Sequence, residues 1–174
     1  PNEERAAGRP VRTRPAYGLQ RGMGAVMGLN YGWAHPLWFA DAPDAEDTDG
    51  FTRQNWWGPV GAECRMLREA GGIIDISNIA KYVCKGTTFE SRTDAVCGFN
   101  VSGPLARTLL QGMTNASLSN DDFPFMRSRR IDIAGIDVLA LRVSFTGDLG
   151  WELHCGIEDQ ARLYETLIAR GRDL

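Results

Sequence analysis

The stretch from Phe51 to Tyr82 constrains the fold more than any other part of this 174-residue chain. It contains the tryptophan pair Trp56-Trp57, a segment with apolar residues at helical spacing, the double glycine Gly71-Gly72 and an isoleucine-rich run. Pro59 suits the first turn of a helix, where a missing N–H is no loss, and glycine accepts the left-handed backbone that often ends a helix. The stretch therefore predicts a helix, a stop and a buried strand.

The predicted helix has an apolar stripe and a polar side. Val60, Cys64 and Leu67 recur at i, i+4 and i+7, which is the spacing of one helix face. Glu63 and the neighbouring arginines and glutamates then occupy the opposite face, which we expect to be exposed to solvent.

Alternating apolar residues predict strands in the second half of the chain. Residues 95–101 alternate in this way, and residues 129–145 predict a β-hairpin that turns at Ala134-Gly135. On its second strand, Leu139 and Leu141 are expected on the apolar face.

A further strand and a final helix follow the hairpin. Trp151, Leu153 and Cys155 face one way and Glu152 and His154 the other, and residues 158–170 have helical spacing. Strands joined by hairpins, with helices on one face, indicate an α+β fold.

Composition narrows the class of protein and its partners. A net charge of −3 argues against a general nucleic-acid binder. No apolar run reaches the ~18 residues that span a bilayer, so no membrane partner is expected. The four cysteines form no C-x-x-C pair, which favours a reducing compartment, the cytoplasm or the mitochondrial matrix of a eukaryote, and argues against a disulfide framework or a zinc site.

Five arginines crowd the N-terminal segment, at positions 5, 9, 12, 14 and 21. The simplest interpretation is a solvated linker, and the alternative is contact with an anionic cofactor tail or a neighbouring domain. Residues 22–28 come near a dinucleotide-binding fingerprint, but their spacing is wrong by one residue and no convincing strand precedes them. We therefore expect a flexible glycine loop there and no flavin-phosphate site.

Several motifs together resemble the dimethylglycine/sarcosine dehydrogenase family. They are the Phe51–Tyr82 run, NEERAAGRPVRTRPAY and GLNYGWAHPLWFA before it, and VSFTGDLGWELH after it. In that family an FAD-containing amine-oxidising domain precedes a tetrahydrofolate-binding domain similar to the aminomethyltransferase, or T protein, of the glycine cleavage system. The resemblance implies that residues 1–25 end the flavin-side module or form a linker. Residues 26–174 then form a shortened folate-binding domain.

The resemblance also implies where a folate would bind. The glycine turn and strand from Phe145 to Glu152 resemble the folate-site segment, and carboxylates suit the side-by-side donors of a pterin edge. The implied binding residues are Phe145, Asp148, Glu152, Trp57 and Ile79. The family usually has glutamate where Asp148 stands, one methylene longer. The structural alternative is a turn aspartate that caps its own backbone and a solvated strand glutamate.

Compared with the family, the chain lacks an internal block. Lys85 to Thr88 directly joins two segments that in the family are separated by several dozen residues, so we place a deletion near residues 86–88. By resemblance, that block carries the aspartate that assists chemistry at the folate nitrogens. No catalytic residue can therefore be assigned here, and FAD is expected only in a parent domain upstream.

Two functions follow from these expectations. The first is the tetrahydrofolate-dependent one-carbon transfer region of a demethylating dehydrogenase. The second is a non-catalytic folate-fold binding module or an inactive fragment, which the missing block favours.

Overall fold

The structure is a computed structural model that describes residues 6–42, 45–48, 50–144 and 146–174. Short 3-10 helices lie at Ala6–Gly8 and Ile157–Asp159. The other elements follow along the chain as α1 (Tyr17–Gly22), β1 (Ala25–Asn30), β2 (Trp33–Phe39), α2 (Trp57–Glu69), β3 (Gly72–Asp75), β4 (Tyr82–Lys85), β5 (Thr88–Ser91), β6 (Val96–Ser102), α3 (Ala106–Gln111), β7 (Ser128–Ile133), β8 (Ile136–Leu141), β9 (Gly150–Gly156) and α4 (Gln160–Gly171).

A five-stranded antiparallel sheet forms the centre of the molecule. Its strand order is β3-β6-β9-β8-β7, and β1-β2 and β4-β5 form separate two-stranded sheets. The central pair of β6 and β9 is in continuous register from Val96 opposite Gly156 to Ser102 opposite Gly150. Residues that face each other across this pair share a side of the sheet, so the two alternating sequences combine into one apolar face and one polar face.

The apolar face is covered by α3 and α4 and forms the hydrophobic core. Phe99, Trp151 and Leu153 are fully buried there, and Leu110 of α3 and Leu167 of α4 are buried in the same cluster. This arrangement confirms the predicted α+β fold with helices on one face. Their burial also agrees with the alternation seen in residues 95–101 and 151–155.

The β7–β8 hairpin confirms the predicted turn but not the predicted side of its second strand. Ala134 and Gly135 have φ values of 50° and 80°, as a two-residue hairpin turn requires. This short turn fixes the pairing of Ile133 with Ile136. The core-facing residues of β8 are consequently the even-numbered ones, Ile136, Val138 and Ala140, while Leu139 and Leu141 lie half-buried on the other face.

The stripe predicted for α2 is wrong in two positions. Val60 and Leu67 are half-buried, but Cys64 is exposed. Glu63, predicted to face solvent, is half-buried, and its Oε1 accepts a hydrogen bond of 3.0 Å from the backbone N–H of Phe39. The helix packs on β2 and β3. Because the backbone of β2 lies beside the inner face of α2, a polar side chain on that face can accept a hydrogen bond from the strand.

The glycine stop after α2 allows close packing and does not provide a left-handed backbone. Gly71 lacks the positive φ that we expected of a helix stop, but a Cβ atom at Gly71 would lie 2.9 Å from the carbonyl oxygen of Ser102. The end of α2 therefore passes against the end of β6 at a distance that only glycine allows. Of the predicted strand after it, Ile76 is buried, whereas Ile74 is exposed.

The N-terminal segment is built into the fold, which contradicts a solvated linker at Arg14. The Arg14 side chain is only 6% exposed, and its Nη2 donates to the carbonyl oxygens of Ser77 and Thr93 at 2.9 and 2.8 Å. Ala16 is fully buried in the core cluster. Arg5 lies outside the described residues. The boundary between residues 25 and 26 stays a prediction.

Residues 22–28, expected to be a flexible glycine loop, are instead ordered structure. They comprise the last residue of α1, the two-residue bend after it and the first four residues of β1. Gly24 alone of these glycines has a positive φ, of 91°, at the bend between the two elements. The glycines therefore serve a tight helix-to-strand connection, and the near match to a nucleotide fingerprint has a structural explanation.

The predicted deletion coincides with an exposed hairpin. β4 and β5 pair from Tyr82 opposite Ser91 to Lys85 opposite Thr88, with Gly86 at a φ of 60° in the turn. All eight strand residues are exposed. A two-residue turn thus connects the flanks of the proposed gap without disturbing the five-stranded sheet.

The cysteines divide into a buried pair and two exposed thiols. Cys97 and Cys155 face each other across β6 and β9 with their Sγ atoms 3.4 Å apart, hydrogen-bonded but without a disulfide. The hydrogen bond to Cys155, followed by burial, raises the pKa of the Cys97 thiol. In the described part of the chain, no cluster of three or more His, Cys, Asp or Glu side chains could hold a metal ion. No helix there is both long and apolar enough to cross a membrane.

Candidate functional site

The polar face of the sheet brings together side chains from the two central strands. Asn100 lies opposite Glu152, and Gly98 lies opposite His154. In antiparallel sheets, hydrogen-bonded and non-hydrogen-bonded pairs alternate. Gly103 and Leu149, just beyond the end of the strand pair, are hydrogen-bonded, because the N–H of Gly103 donates to Leu149 O. Asn100 and Glu152 are three positions further along, so the alternation makes them a non-hydrogen-bonded pair. The side chains of such pairs lie closer together than those of the other kind.

Glu152 presents a carboxylate that is held in place and still reachable. Its Oε2 lies 3.0 Å from Nε2 of His154, and the two side chains are 17% and 15% exposed. Their two-residue separation on β9 puts both on one face. The imidazole therefore fixes the direction of the carboxylate and leaves Oε1 for another donor.

A row of hydroxyl and amide groups continues the site toward the turn before β9. Ser102 Oγ donates to Asn100 Oδ1, and it lies 3.0 Å from Ser144 Oγ, which lies 2.8 Å from Thr146 Oγ1. Asn100 is fully buried, and its Nδ2 has no acceptor among the residues that the structure describes. The side chains next to Glu152 thus form a hydrogen-bonded polar row in which one donor, Asn100 Nδ2, is unsatisfied.

The loop after β3 borders the site on the His154 side. A Cβ atom at Gly98 would lie 2.8 Å from His154 Nδ1 and 3.3 Å from Ile76, which shows how tightly the imidazole and this loop approach β6. Lys81 closes the loop, since its Nζ donates to the carbonyl oxygens of Ile76 and Ile79 at 2.9 and 2.8 Å. Burial, followed by the charge of Arg14, lowers the pKa of Lys81, while Glu152 has a smaller opposing effect.

The predicted binding residues are only partly brought together. Glu152 lies on the polar face, and Ile79 is 43% exposed in the loop that borders it. Asp148 is exposed in the turn that leads into β9, and its N–H donates to Thr146 Oγ1 at 3.4 Å. Phe145 lies outside the described residues.

The ring contacts of Trp57 are with residues at or just before the start of α2. It begins α2, is 53% exposed, and has the ring of Trp56 at 5.9 Å and the guanidinium of Arg53 at 5.1 Å. The helix that carries it packs on β2 and β3. A role for Trp57 and Ile79 in binding stays a prediction.

Sequence reasoning missed the partners of Glu152. His154 was placed on the same side of β9 by alternation, but nothing in the sequence showed that it contacts the carboxylate. Asn100 and Ser102 interrupt an otherwise apolar strand at alternate positions, which is a detectable signal for a polar face. The sequence around Arg14 and Lys81 gives no such signal, because both side chains donate to backbone carbonyl oxygens that only the folded chain brings near them.

The family comparison covers nearly the whole described chain. The family model described as GCVT N-terminal domain matches residues 16–90 and 84–174. The two matched ranges overlap over residues 84–90, in the β4–β5 hairpin. A match in two pieces is the pattern expected of a chain that lacks an internal block, although the position of the deletion stays a prediction.

Curated relatives extend the comparison. The chain is 28% identical to "Dimethylglycine dehydrogenase, mitochondrial" of Mus musculus over 249 residues, covering 99% of this chain and 28% of that protein. Because the matched region is longer than this chain of 174 residues, part of it has no counterpart here. Over 72 residues the chain is 40% identical to "Sarcosine dehydrogenase, mitochondrial" of Homo sapiens, covering 41% of the chain and 8% of that protein. The chain thus spans less than a third of these relatives.

A solved structure supports the same fold. The aminomethyltransferase T of the glycine cleavage system from Bartonella henselae matches with a TM-score of 0.64 at 16% identity, covering 92% of this chain and 58% of that one. At this identity the likeness shows the fold alone. It confirms that the mixed helix and antiparallel-sheet architecture is of the aminomethyltransferase type.

Proposed function

The chain belongs to the GCVT N-terminal domain family, and we propose that it is the tetrahydrofolate-binding, one-carbon-transfer region of a protein resembling dimethylglycine or sarcosine dehydrogenase. Its role is to capture, on tetrahydrofolate, the carbon released when an N-methyl amine is oxidised. Oxidation itself belongs to an upstream FAD domain of the parent protein. We propose the cytoplasm as its location or, in a eukaryote, the mitochondrial matrix; the names of the relatives describe those proteins as mitochondrial.

One observation carries this proposal: Glu152 offers a fixed, partly exposed carboxylate from a central strand, beside an uncharged polar row. A pterin presents a ring N–H and an amino group side by side, which suit a carboxylate with a free oxygen. Tetrahydrofolate, when bound, supplies the nucleophilic nitrogen that accepts the one-carbon unit. The residues of this chain bind and orient the pterin, and Asp148 is proposed as a second acceptor at the rim of the site.

The alternative is a folate-fold module that binds without catalysing transfer. It is favoured by the exposed β4–β5 hairpin, which stands where the family is expected to carry its assisting aspartate. Without a group that moves protons at the folate nitrogens, binding would remain and transfer would be slow.

Calorimetry with tetrahydrofolate tests the binding half of the proposal. We expect Glu152→Gln to weaken binding by roughly 10- to 100-fold, because a hydrogen bond to a charged group contributes about 1.5–3 kcal/mol. Asp148→Ala should weaken binding by a smaller factor, since Asp148 is exposed. Glu165→Gln, an exposed acid on α4, is the matched control and should bind as the wild type does.

Equal affinities in the wild type, Glu152→Gln and Asp148→Ala would remove this turn and strand from the site. Absence of heat in all proteins would contradict folate binding altogether. If folate binds, formation of methylenetetrahydrofolate above the spontaneous rate separates the two functions, and its absence would leave the non-catalytic module.

A further inference from the structure

Two arginines from different elements converge on a single neutral oxygen. Arg107 of α3 and Arg142, which follows β8, both donate through Nη2 to Oδ1 of Asn120, at 2.6 and 2.7 Å. Their guanidinium carbons also lie 5.9 and 5.6 Å from the ring centroid of Trp151. We call the place where Arg107, Arg142 and Asn120 meet the notch. Since Trp151 and Glu152 are successive residues of β9, the notch is on the opposite side of the sheet from Glu152.

The two positive charges have no ion-pair partner in the part of the chain that the structure describes. Burial, followed by the charge of Arg107, lowers the pKa of Arg142, so the two guanidiniums repel each other. Nearby Asp122 is bonded to Ser119 Oγ, and its backbone oxygen accepts from Arg129. An amide oxygen thus stands where two converging guanidiniums would ordinarily hold a carboxylate.

The notch is open to small ligands. Asn120 is exposed, and Arg142 lines an adjoining pocket of about 330 Å³ together with Phe125, Val143 and residues 147–150. Arg107 Nε is buried and lacks an acceptor among the described residues. Asp148, in the turn before β9, is the acidic residue that lines this pocket.

We propose that Arg107, Arg142 and Asn120 form a binding site for the oxyanion of a small ligand, a carboxylate or a phosphate group. The anion would lie against the two guanidiniums and neutralise their mutual repulsion. This site goes beyond the proposed folate function and does not depend on it, because none of its three residues belongs to the Glu152 face.

Anion titrations followed by NMR test the site in the full chain. Sodium acetate and sodium phosphate are added separately at constant ionic strength, so that the two arms distinguish a carboxylate from a phosphate ligand. We expect saturable shifts of the Asn120 side-chain amide and the Trp151 indole with at least one anion. Arg107→Gln and Arg142→Gln should each weaken binding by roughly 10-fold or more, because one charged donor is lost.

Arg130→Gln is the matched control, since Arg130 is exposed and paired with Asp137 at 2.5 Å on the β7–β8 hairpin. It should titrate as the wild type does. Non-saturable shifts, or equal responses in all four proteins, would overturn the proposal.

Asn120→Asp provides an independent test that needs no ligand. The new carboxylate would occupy the anion position, so we expect Tm to rise by about 2–4 °C at low salt and anion binding to be lost. The rise should shrink as salt is added. An unchanged or lower Tm, with anion binding retained, would show that the guanidiniums do not form an anion site.

Discussion

Replacing Arg14 by methionine tests whether the N-terminal segment is part of the folded unit. Arg14 Nη2 bonds to the carbonyl oxygens of Ser77 and Thr93, and its guanidinium stacks 3.6 Å from the Trp33 ring. Methionine has a similar length and fills similar space, but it offers no donor. The substitution therefore removes the polar contacts with little change in packing volume.

The expected cost is about 2–4 kcal/mol of unfolding free energy. Two charged hydrogen bonds contribute about 1.5–3 kcal/mol each and a desolvated cation–π contact about 2 kcal/mol. Against this, the variant no longer buries a charge, which recovers several kcal/mol. Ser77 O also keeps a donor in Lys81 Nζ at 3.4 Å. The carbonyl of Thr93 loses its partner, and that loss dominates the remaining cost.

Arg12→Met is the matched control, because the Arg12 guanidinium also lies over the Trp33 ring, at 3.8 Å, but is half exposed and paired with exposed Asp94. It should cost at most about 1 kcal/mol. Urea denaturation followed by tryptophan fluorescence measures both variants. A loss below 1 kcal/mol in Arg14→Met, or equal losses in the two, would refute the claim that Arg14 joins this segment to the fold.

Two further predictions concern backbone approach and pH. Gly103→Ala should destabilise the protein by about 3–5 kcal/mol in the same denaturation assay. The reason is that φ is 122° there and the new Cβ would lie 2.8 Å from Ala70 O and 2.9 Å from Leu67 O. Gly18→Ala in α1, which has open space around it, is the control and should be neutral or slightly stabilising. Burial lowers the pKa of His35 below its usual 6.5, so the unfolded chain binds more protons near that pH and stability should fall as the pH drops through 6.5. His35→Gln should flatten this part of the stability curve, and an unaltered pH profile would contradict the burial.

The fold was predictable where periodicity and turn chemistry agree. In residues 95–101 and 151–155, alternation alone located the core face, and Ala134-Gly135 located the hairpin turn. The β8 error shows the limit. Leu139 and Leu141 are as apolar as Ile136 and Val138, so composition does not show which set faces the helices. The two-residue turn decides it, because it pairs Ile133 with Ile136 and thereby puts the even-numbered residues of β8 on the core face.

The site was less predictable, because its geometry depends on pairing between distant strands. Sequence could place Glu152 and His154 on one strand face, but Asn100 becomes a neighbour of Glu152 only through the register of β6 and β9. The contact between Glu152 and His154 depends on the conformations of the two side chains. Arg14 was misjudged for the same reason. A run of arginines resembles a solvated segment until Ser77 and Thr93, more than sixty residues away, supply carbonyl oxygens for one of them.

The proposed deletion lies apart from the two strands that carry the candidate binding residues. Glu152 and Asn100 lie on the two central strands, whose pairing is continuous from Val96 to Ser102 and whose core face is covered by α3 and α4. The β4–β5 hairpin forms its own exposed sheet, joined to the rest through the loop that Lys81 closes. A block inserted or removed at the tip of this hairpin would leave the pairing around Glu152 intact. We therefore propose that Glu152 keeps its pterin-binding role in a chain that lacks the block expected to assist transfer.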